Sequence, residues 1–249
     1  QKIAAGEKDK INVTPAMVKA MLGPEKVKPT FISRTDAVGI ANGLAWTSVG
    51  GEMLPIEVSI IPNGSGKVEI TGSLGDVMKE SAHLALTYAR VHAETYHIAP
   101  DKFKNTDIHI HAPEGAVPKD GPSAGVTLTT ALISALSEIP VRHNLAMTGE
   151  ITLHGNVLPI GGLKEKSMAA FREGISTVLI PQANKPDLYE VDEEVKKAVK
   201  FIPVSDLSQV LKHALILPAA SAAHKHTMPQ ATQLIATEQS TAKEPAAVM

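Results

Sequence analysis

The sequence predicts an α+β fold, with mixed sheets and helices packed against them. Apolar residues alternate with polar ones in several short windows, as in half-buried strands, and recur at helical spacing in others. Segments rich in glycine and proline separate these windows. The chain has neither a G-x-G-x-x-G nor a G-x-x-x-x-G-K-[ST] pattern, so a doubly wound nucleotide-binding fold is not expected.

The predicted elements follow this periodicity along the chain. Strands are expected at residues 37–49, 54–61, 67–71, 107–111, 145–147, 151–158, 177–180 and 201–204. Helices are expected at 75–96, from the end of the 118–125 loop to about 136, and at 163–173, 193–199 and 206–213. The Pro-Asn-Gly-Ser-Gly turn at 62–66 predicts that the strands on either side of it form a hairpin.

Three segments are predicted from composition and caps. Residues 1–30 contain a short helix, with Thr14 as N-cap, Pro15 in its first turn and Gly23 at its end, followed by a charged, proline-containing linker. This segment is expected to be the end of a preceding module. The domain itself is expected at 31–217, and 218–249, which lack aromatic residues, are expected to be a disordered tail.

Composition excludes several classes of protein. The chain has 249 residues, long enough to bury a core, and no cysteine, which excludes disulfide scaffolds, thiol proteases and cysteine-ligated metals. With 24 Lys+Arg against 26 Asp+Glu and 3% aromatic residues, nucleic-acid binding through bulk charge or base stacking is not expected. No apolar run reaches the roughly 18 residues of a membrane span, so a soluble, intracellular protein is expected.

The loop at 118–125, Pro-Lys-Asp-Gly-Pro-Ser-Ala-Gly, holds the first candidate for chemistry. Its glycines and prolines preset a turn that places Ser123 where a helix begins, beside free backbone N–H groups that could stabilise an oxyanion. Ser123 could instead be the N-cap of that helix, which is the commoner role of such a serine. A nucleophilic serine needs a base, and the chain holds ten histidines. Of these, His109 and His111 would share one face of a strand; without a third ligand they are a weak metal signal.

A lysine is the other candidate base, since burial in apolar surroundings makes an ammonium lose its proton more easily. Lys164 and Lys166 are two residues apart on a predicted helix and therefore face different directions. One can be solvated while the other points inward. A solvated surface position remains the default for either lysine.

Two long motifs together resemble the proteolytic domain of the Lon protease family. They are the 118–125 loop and residues 148–166, Thr-Gly-Glu-Ile-Thr-Leu-His-Gly-Asn-Val-Leu-Pro-Ile-Gly-Gly-Leu-Lys-Glu-Lys. The resemblance extends through 38–46, 71–75 and 177–181 and fades after about residue 215. It implies the Lon proteolytic α+β fold and a serine endopeptidase.

Site residues follow from the resemblance position by position. It implies a Ser–Lys dyad, in which Ser123 is the nucleophile and Lys166, rather than Lys164, is the general base. Thr148 matches a threonine that hydrogen-bonds the lysine, and Asp120 matches an acidic residue near the site. Polar residues that surround the site in the family are matched by Glu57, His109 and His111. No metal ligand is implied.

The resemblance also implies a larger parent protein. In Lon proteins this domain follows an ATPase module, and residues 1–23 look like the end of that module's small helical subdomain. ATP and Mg would act there, since this chain has no phosphate loop. The family assembles as a homohexamer and degrades unfolded, damaged or short-lived regulatory polypeptides in protein quality control. The implied location is the bacterial-type cytoplasm, with the mitochondrial matrix as the alternative, and DNA binding is expected only in the parent.

Two other functions stay open at this point. A Lon-like peptidase that works without ATP is the nearer alternative, because the chain has no motor. A non-enzymatic assembly domain of the same fold is the more distant one, and the intact Ser123 and Lys166 speak against it.

Overall fold

The computed structural model describes residues 5–6, 12–23, 32–48 and 50–217. Most of the predicted linker and the predicted tail at 218–249 therefore lie outside the described residues. Helices and strands are mixed along the chain, which confirms the α+β prediction. Near the amino end, α1 (Pro15–Leu22) has the predicted cap, in which the Thr14 side chain accepts a hydrogen bond from the backbone N–H of Met17, and it buries none of its residues.

A seven-stranded sheet organises the domain. Its order is β3-β4-β2-β1-β5-β8-β9, and two further short strands, β6 and β7, pair with each other. The strands are β1 (Ile40–Thr47), β2 (Gly50–Pro62), β3 (Val68–Thr71), β4 (Thr106–His111), β5 (Leu145–Met147), β6 (Glu150–Ile151), β7 (Val157–Leu158), β8 (Thr177–Pro181) and β9 (Lys200–Val204). β1 with β2 and β2 with β4 are antiparallel, whereas the other neighbours in the large sheet are parallel.

The helices cover both faces of this sheet. They are α2 (Asp76–Val91), α3 (Gly125–Ser137), α4 (Leu163–Arg172), α5 (Glu193–Ala198) and α6 (Leu207–Ala214). Side chains alternate between two apolar clusters along the strands, as the pleat requires: Leu54 and Ile56 of β2 join the cluster under α2, α3 and α6, while Met53 joins the one under α4 and α5. α3 is buried along almost its whole length, so the two clusters sandwich the sheet.

The predicted hairpin of the strands at 54–61 and 67–71 is wrong. β4 lies between β2 and β3, and β3 pairs in parallel with β4, with Val68 opposite Ile108. The turn itself exists, but it wraps around the start of β4, where the Asp107 carboxylate accepts hydrogen bonds from the backbone N–H groups of Ser65 and Lys67 at 2.8 and 2.9 Å. The hairpin in this sheet is formed instead by β1 and β2, in the register Thr47 opposite Gly50.

Candidate active site

A cavity of about 730 Å³ opens where the ends of β1 and β2 meet the loops that precede α3 and α4. Its walls are largely apolar, with Trp46, Met53, Leu54 and Ile160 among them. Ser123 and Lys166 both face it. The lining comprises residues 45–47, 52–55, 78, 113–114, 117–123, 159–162 and 166.

Ser123 sits in a single 3₁₀ turn, Pro122–Ala124, immediately before α3. Gly121 enters this turn at φ 122° and ψ 156°, a conformation that is essentially restricted to glycine. A backbone hydrogen bond fixes this turn: the Ser123 carbonyl accepts it from the Gly149 N–H at 2.9 Å. Ser123 does not cap α3: the N-cap position is Ala124, and no side chain caps this helix. The hydroxyl is therefore left for the cavity.

Lys166 lies in the second turn of α4 and is only 2% exposed. Its Nζ donates a 3.2 Å hydrogen bond to Thr148 Oγ1, and that hydroxyl donates in turn to the Ser123 carbonyl at 3.4 Å. Burial disfavours the ammonium and lowers the pKa of Lys166 to about 8. Lys164, two residues earlier on the same helix, is exposed. Lys166 can thus lose its proton near pH 8.

The Asp120 carboxylate ties the serine turn to the amino end of α2. Its Oδ1 accepts hydrogen bonds from the backbone N–H groups of Met78, at 3.1 Å, and Gly121, at 2.8 Å. α2 has Gly75 as its N-cap and hence no capping side chain of its own, so Asp120 supplies that acceptor from another segment. Gly75 makes room for it, because a Cβ there would lie 2.3 Å from the Asp120 carboxyl carbon.

Together these residues supply the groups that a serine hydrolase with a lysine as its base would need. A serine hydroxyl becomes a strong nucleophile only when a nearby group removes its proton. A buried lysine with a pKa of about 8 can do so, and Thr148 orients its amine. Within the part of the chain that the structure describes, no hydrogen bond joins Ser123 Oγ directly to Lys166 Nζ. Such catalytic hydrogen bonds often tighten only when substrate binds.

Comparison with known proteins decides the family. The sequence model of the Lon protease C-terminal proteolytic domain matches residues 12–217. The chain belongs to this family. Curated relatives include Lon protease of Brevibacillus choshinensis, 51% identical over 213 residues, and Lon protease of Trichlorobacter lovleyi, 53% identical over 215 residues. Lon protease 1 of Myxococcus xanthus is 52% identical over 212 residues.

Each alignment with these three relatives covers 85–86% of this chain but 26–27% of the relative. The chain therefore spans about a quarter of the length of the Lon proteases it matches. Membership of the Lon proteolytic family makes the domain a serine peptidase, as the resemblance of its motifs implied.

The cavity lining leaves out three of the residues expected around the Lon site. Glu57, His109 and His111 are not among the cavity-lining residues. His109 Nε2 and His111 Nδ1 both contact Thr71 Oγ1, at 2.9 and 2.7 Å, and Glu57 is the register partner of His111. These three residues and Thr71 form what we call the histidine face, on the adjoining strands β2, β4 and β3.

Two further residues at the Lon site were not predicted as site residues from the sequence. Asn184 is buried and holds the loop before α4, since its Oδ1 accepts from the Ile160 N–H at 2.9 Å and its Nδ2 donates to the Ile160 carbonyl at 2.8 Å. Lys119 lines the cavity, and partial burial lowers its pKa. Asn184 lies 24 residues from Ile160 in the sequence, so no local pattern could reveal its role. Lys119, in contrast, belongs to the 118–125 motif, although the sequence analysis assigned it no role in the site.

The described part of the chain has neither a cluster of metal-ligating side chains nor a membrane-spanning helix. No group of three or more His, Asp or Glu side chains in it could hold a metal ion. None of its helices is long and apolar enough to cross a membrane.

Proposed function

We propose that this domain hydrolyses peptide bonds through a Ser123–Lys166 dyad. The observation that carries the proposal is that Ser123 and Lys166 line the same cavity. The Ser123 hydroxyl caps no helix, and burial lets Lys166 lose its proton near pH 8. The neutral Lys166 amine takes the Ser123 proton as Oγ attacks the substrate carbonyl carbon. The tetrahedral intermediate collapses when the C–N bond breaks, and the lysine returns the proton to the leaving amine.

Water completes the reaction. Lys166 removes a proton from a water molecule that attacks the acyl-enzyme carbonyl, and the second tetrahedral intermediate releases the acid as Ser123 Oγ recovers the proton. Thr148 keeps the lysine amine directed at the serine turn through its 3.2 Å hydrogen bond. Asp120 acts as a positioning residue by holding the turn against α2. The histidine face would support the site only through the strands.

For the whole protein, we infer an ATP-dependent endopeptidase of the Lon type. It would degrade unfolded, damaged or short-lived regulatory polypeptides, and it would assemble as a homohexamer. ATP and Mg would be bound outside this chain, which has no phosphate loop to hold them, and any DNA contact would belong to the parent as well. Residues 1–30 would then be the end of the ATPase module. Because the relatives named above are bacterial, the bacterial cytoplasm is the proposed location, with the mitochondrial matrix as the alternative.

The experiment that tests the dyad is hydrolysis of an internally quenched peptide by the chain and by its Ser123→Ala variant. We expect the variant to show only the rate of the peptide alone while keeping its thermal unfolding midpoint, because the lost hydroxyl caps nothing. Turnover by Ser123→Ala equal to that of the wild type would overturn the assignment.

An ATP-independent peptidase is the second candidate, and the two candidates make the same prediction for this chain but different ones for the full-length protein. This chain should cleave short peptides slowly and equally well with or without ATP, yet leave a stably folded protein intact. The same assay on the native full-length protein separates the two functions: ATP-stimulated degradation of a folded substrate supports the Lon-type parent, and its absence supports the independent peptidase.

A further inference from the structure

Glu173 carries a buried carboxylate that the proposed reaction does not use. It is the C-cap residue of α4, and its side chain is only 7% exposed. Taking a carboxylate out of water is unfavourable unless a cation pairs with it. Here the cation is Arg34, whose Nη2 donates a 3.2 Å hydrogen bond to Glu173 Oε2. An ion pair therefore lies at the carboxyl end of the helix that carries Lys166.

The same guanidinium makes a second contact at this helix end. Arg34 Nη1 donates a 2.8 Å hydrogen bond to the backbone carbonyl of Glu173. The last carbonyls of a helix have no partner within the helix, and a positive charge beside them is favourable because it faces the negative end of the helix dipole. Arg34 thus caps α4 from a position 139 residues away in the sequence. The fork of a guanidinium allows both contacts at once.

Arg34 belongs to residues 32–37, which lead into β1 and which we call the entry segment. Ile32, at its start, is buried in the apolar cluster under α4 and α5. Asp36, near its end, is bound to a different part of the domain: its Oδ1 accepts a 2.9 Å hydrogen bond from the backbone N–H of His143, just before β5. The entry segment therefore has two polar ties, of which Arg34 holds α4 and Asp36 does not.

The residue that Arg34 holds lies on the same face of α4 as the proposed base. Lys166 and Glu173 are seven residues apart, which is about two helical turns or roughly 10 Å along the axis, and both are buried. Ala169 and Ala170, between them, are completely buried. A stiff helix in a close-packed interior moves as a unit, so a shift at Glu173 is carried to Lys166.

We propose that Arg34 is a positioning residue for the reaction: by holding the carboxyl end of α4, it fixes where the Lys166 amine lies relative to the Ser123 hydroxyl. This proposal rests on the proposed function, since the groups that are positioned form the dyad. Arg34 lies outside the cavity lining, and its side chain is 61% exposed. Its effect is therefore on the placement of the base and not on contact with the substrate.

Steady-state hydrolysis of a short peptide by Arg34→Ala tests the proposal. We expect kcat to fall by at least about tenfold, because a small misplacement of a catalytic group is costly, while KM stays within about twofold. The midpoint of the kcat pH profile should move above about 8, since a looser α4 lets water reach the amine. Arg34→Lys should recover part of kcat, because an ammonium can keep one of the two contacts.

The matched control is Asp36→Ala, which breaks the other polar tie of the entry segment. It should keep kcat within about twofold of the wild type and leave the pH midpoint unchanged. Equal losses of kcat in Arg34→Ala and Asp36→Ala would contradict the proposal, since the entry segment as a whole, and not its contact with α4, would then matter.

A double variant separates positioning from the effect of an unpaired buried charge. Arg34→Ala leaves the Glu173 carboxylate without its cation, whereas Arg34→Ala/Glu173→Gln removes that charge and still lacks the cap on α4. We expect kcat of the double variant to stay low, and recovery to the wild-type value would overturn the proposal.

The proposed function fails on different variants. Activity that survives Ser123→Ala or Lys166→Arg contradicts the dyad. If both of those variants are inactive while Arg34→Ala keeps the wild-type kcat and pH midpoint, the dyad stands and the positioning role of Arg34 is wrong.

Discussion

The cavity and the histidine face are both clusters of polar side chains on neighbouring strands, yet their surroundings differ. In the cavity Lys166 is 2% exposed among apolar walls, and burial lowers its pKa to about 8. On the histidine face His109, His111 and Glu57 are all half-buried, and both histidines contact Thr71. The cavity also contains Ser123, whose hydroxyl caps no helix. The histidine face lies outside the cavity lining.

Under the proposed dyad, the difference teaches that burial, and not the type of titratable side chain, would prepare the base. Histidine has the ordinary pKa closest to neutral, so composition alone would favour it. The Lon domain nevertheless buries a lysine beside its serine and leaves the histidines near solvent. Five measurements test this contrast, in order of decreasing expected effect.

Lys166→Arg should reduce kcat/KM for a short peptide by about a hundred- to ten-thousandfold, the usual contribution of a general base. A guanidinium keeps the charge but cannot give up its proton near neutral pH. The Ser123→Ala/Lys166→Ala double variant should lose no more activity than the worse single variant, since the two groups act as a unit.

The matched control for this change is Lys164→Ala on the same helix. Lys164 is exposed, so its loss should change kcat/KM by no more than about twofold. An active Lys166→Arg enzyme would reassign the base and bring the histidine face back into consideration.

The pH profile of kcat/KM should follow the lysine. Since the neutral amine is the base, activity should fall by about tenfold for each pH unit below about 8 and level off above it. Initial rates between about pH 6 and about pH 9.5, a range that spans the Lys166 pKa of about 8, check this. A profile centred near 6.5, the ordinary pKa of histidine, would point to the histidine face instead.

The lowered pKa of Lys166 also makes the free energy of unfolding depend on pH. The folded-state pKa of about 8 lies below the ordinary 10.5, so the unfolded chain binds more protons between these values. Burial of Lys166 therefore lowers the free energy of unfolding most below about pH 8, and this penalty fades as the pH rises toward 10.5. Chemical denaturation of Lys166→Met should show a larger advantage over the wild type at pH 7 than at pH 10.

Gly51→Ala should disturb the cavity by displacing α4, the helix that carries Lys166. A Cβ at this position would lie 1.9 Å from the carbonyl oxygen of Glu165, in the backbone of α4 and next to Lys166. We expect the free energy of unfolding to fall by about 1–3 kcal/mol, as for other overpacked sites, and kcat/KM to fall with it as α4 shifts. Gly161→Ala is the stability control, because its Cβ meets nothing within 4 Å; equal losses in the two variants would contradict the packing argument.

His109→Gln and His111→Gln should have the smallest effect on catalysis. Neither side chain lines the cavity, and glutamine can still hydrogen-bond to Thr71. We expect kcat/KM to stay within about twofold of the wild type, as for changes away from a site. A much larger drop with unchanged unfolding would show that the histidine face takes part in the reaction.

Local sequence signals predicted much of the secondary structure. The Thr14 cap and Pro15 placed α1, and the apolar window after Gly125 placed α3. The alternation at residues 107–111 placed β4 to within a residue. The hairpin prediction failed because a turn signal reports that the chain reverses and not which strand it will join; β4, forty residues away, took the place beside β2.

The sequence by itself determined the elements, the glycine-dependent turn before Ser123 and, through two long motifs, the Lon family. These features depend on neighbouring residues or on the order of residues, which the chain displays directly. Only the tertiary structure decided that Lys166 is buried and Lys164 exposed, that Asp120 caps a helix from another segment, and that β4 pairs with β2. Each of these depends on contacts between residues distant in sequence, because burial and strand pairing are properties of the packed chain.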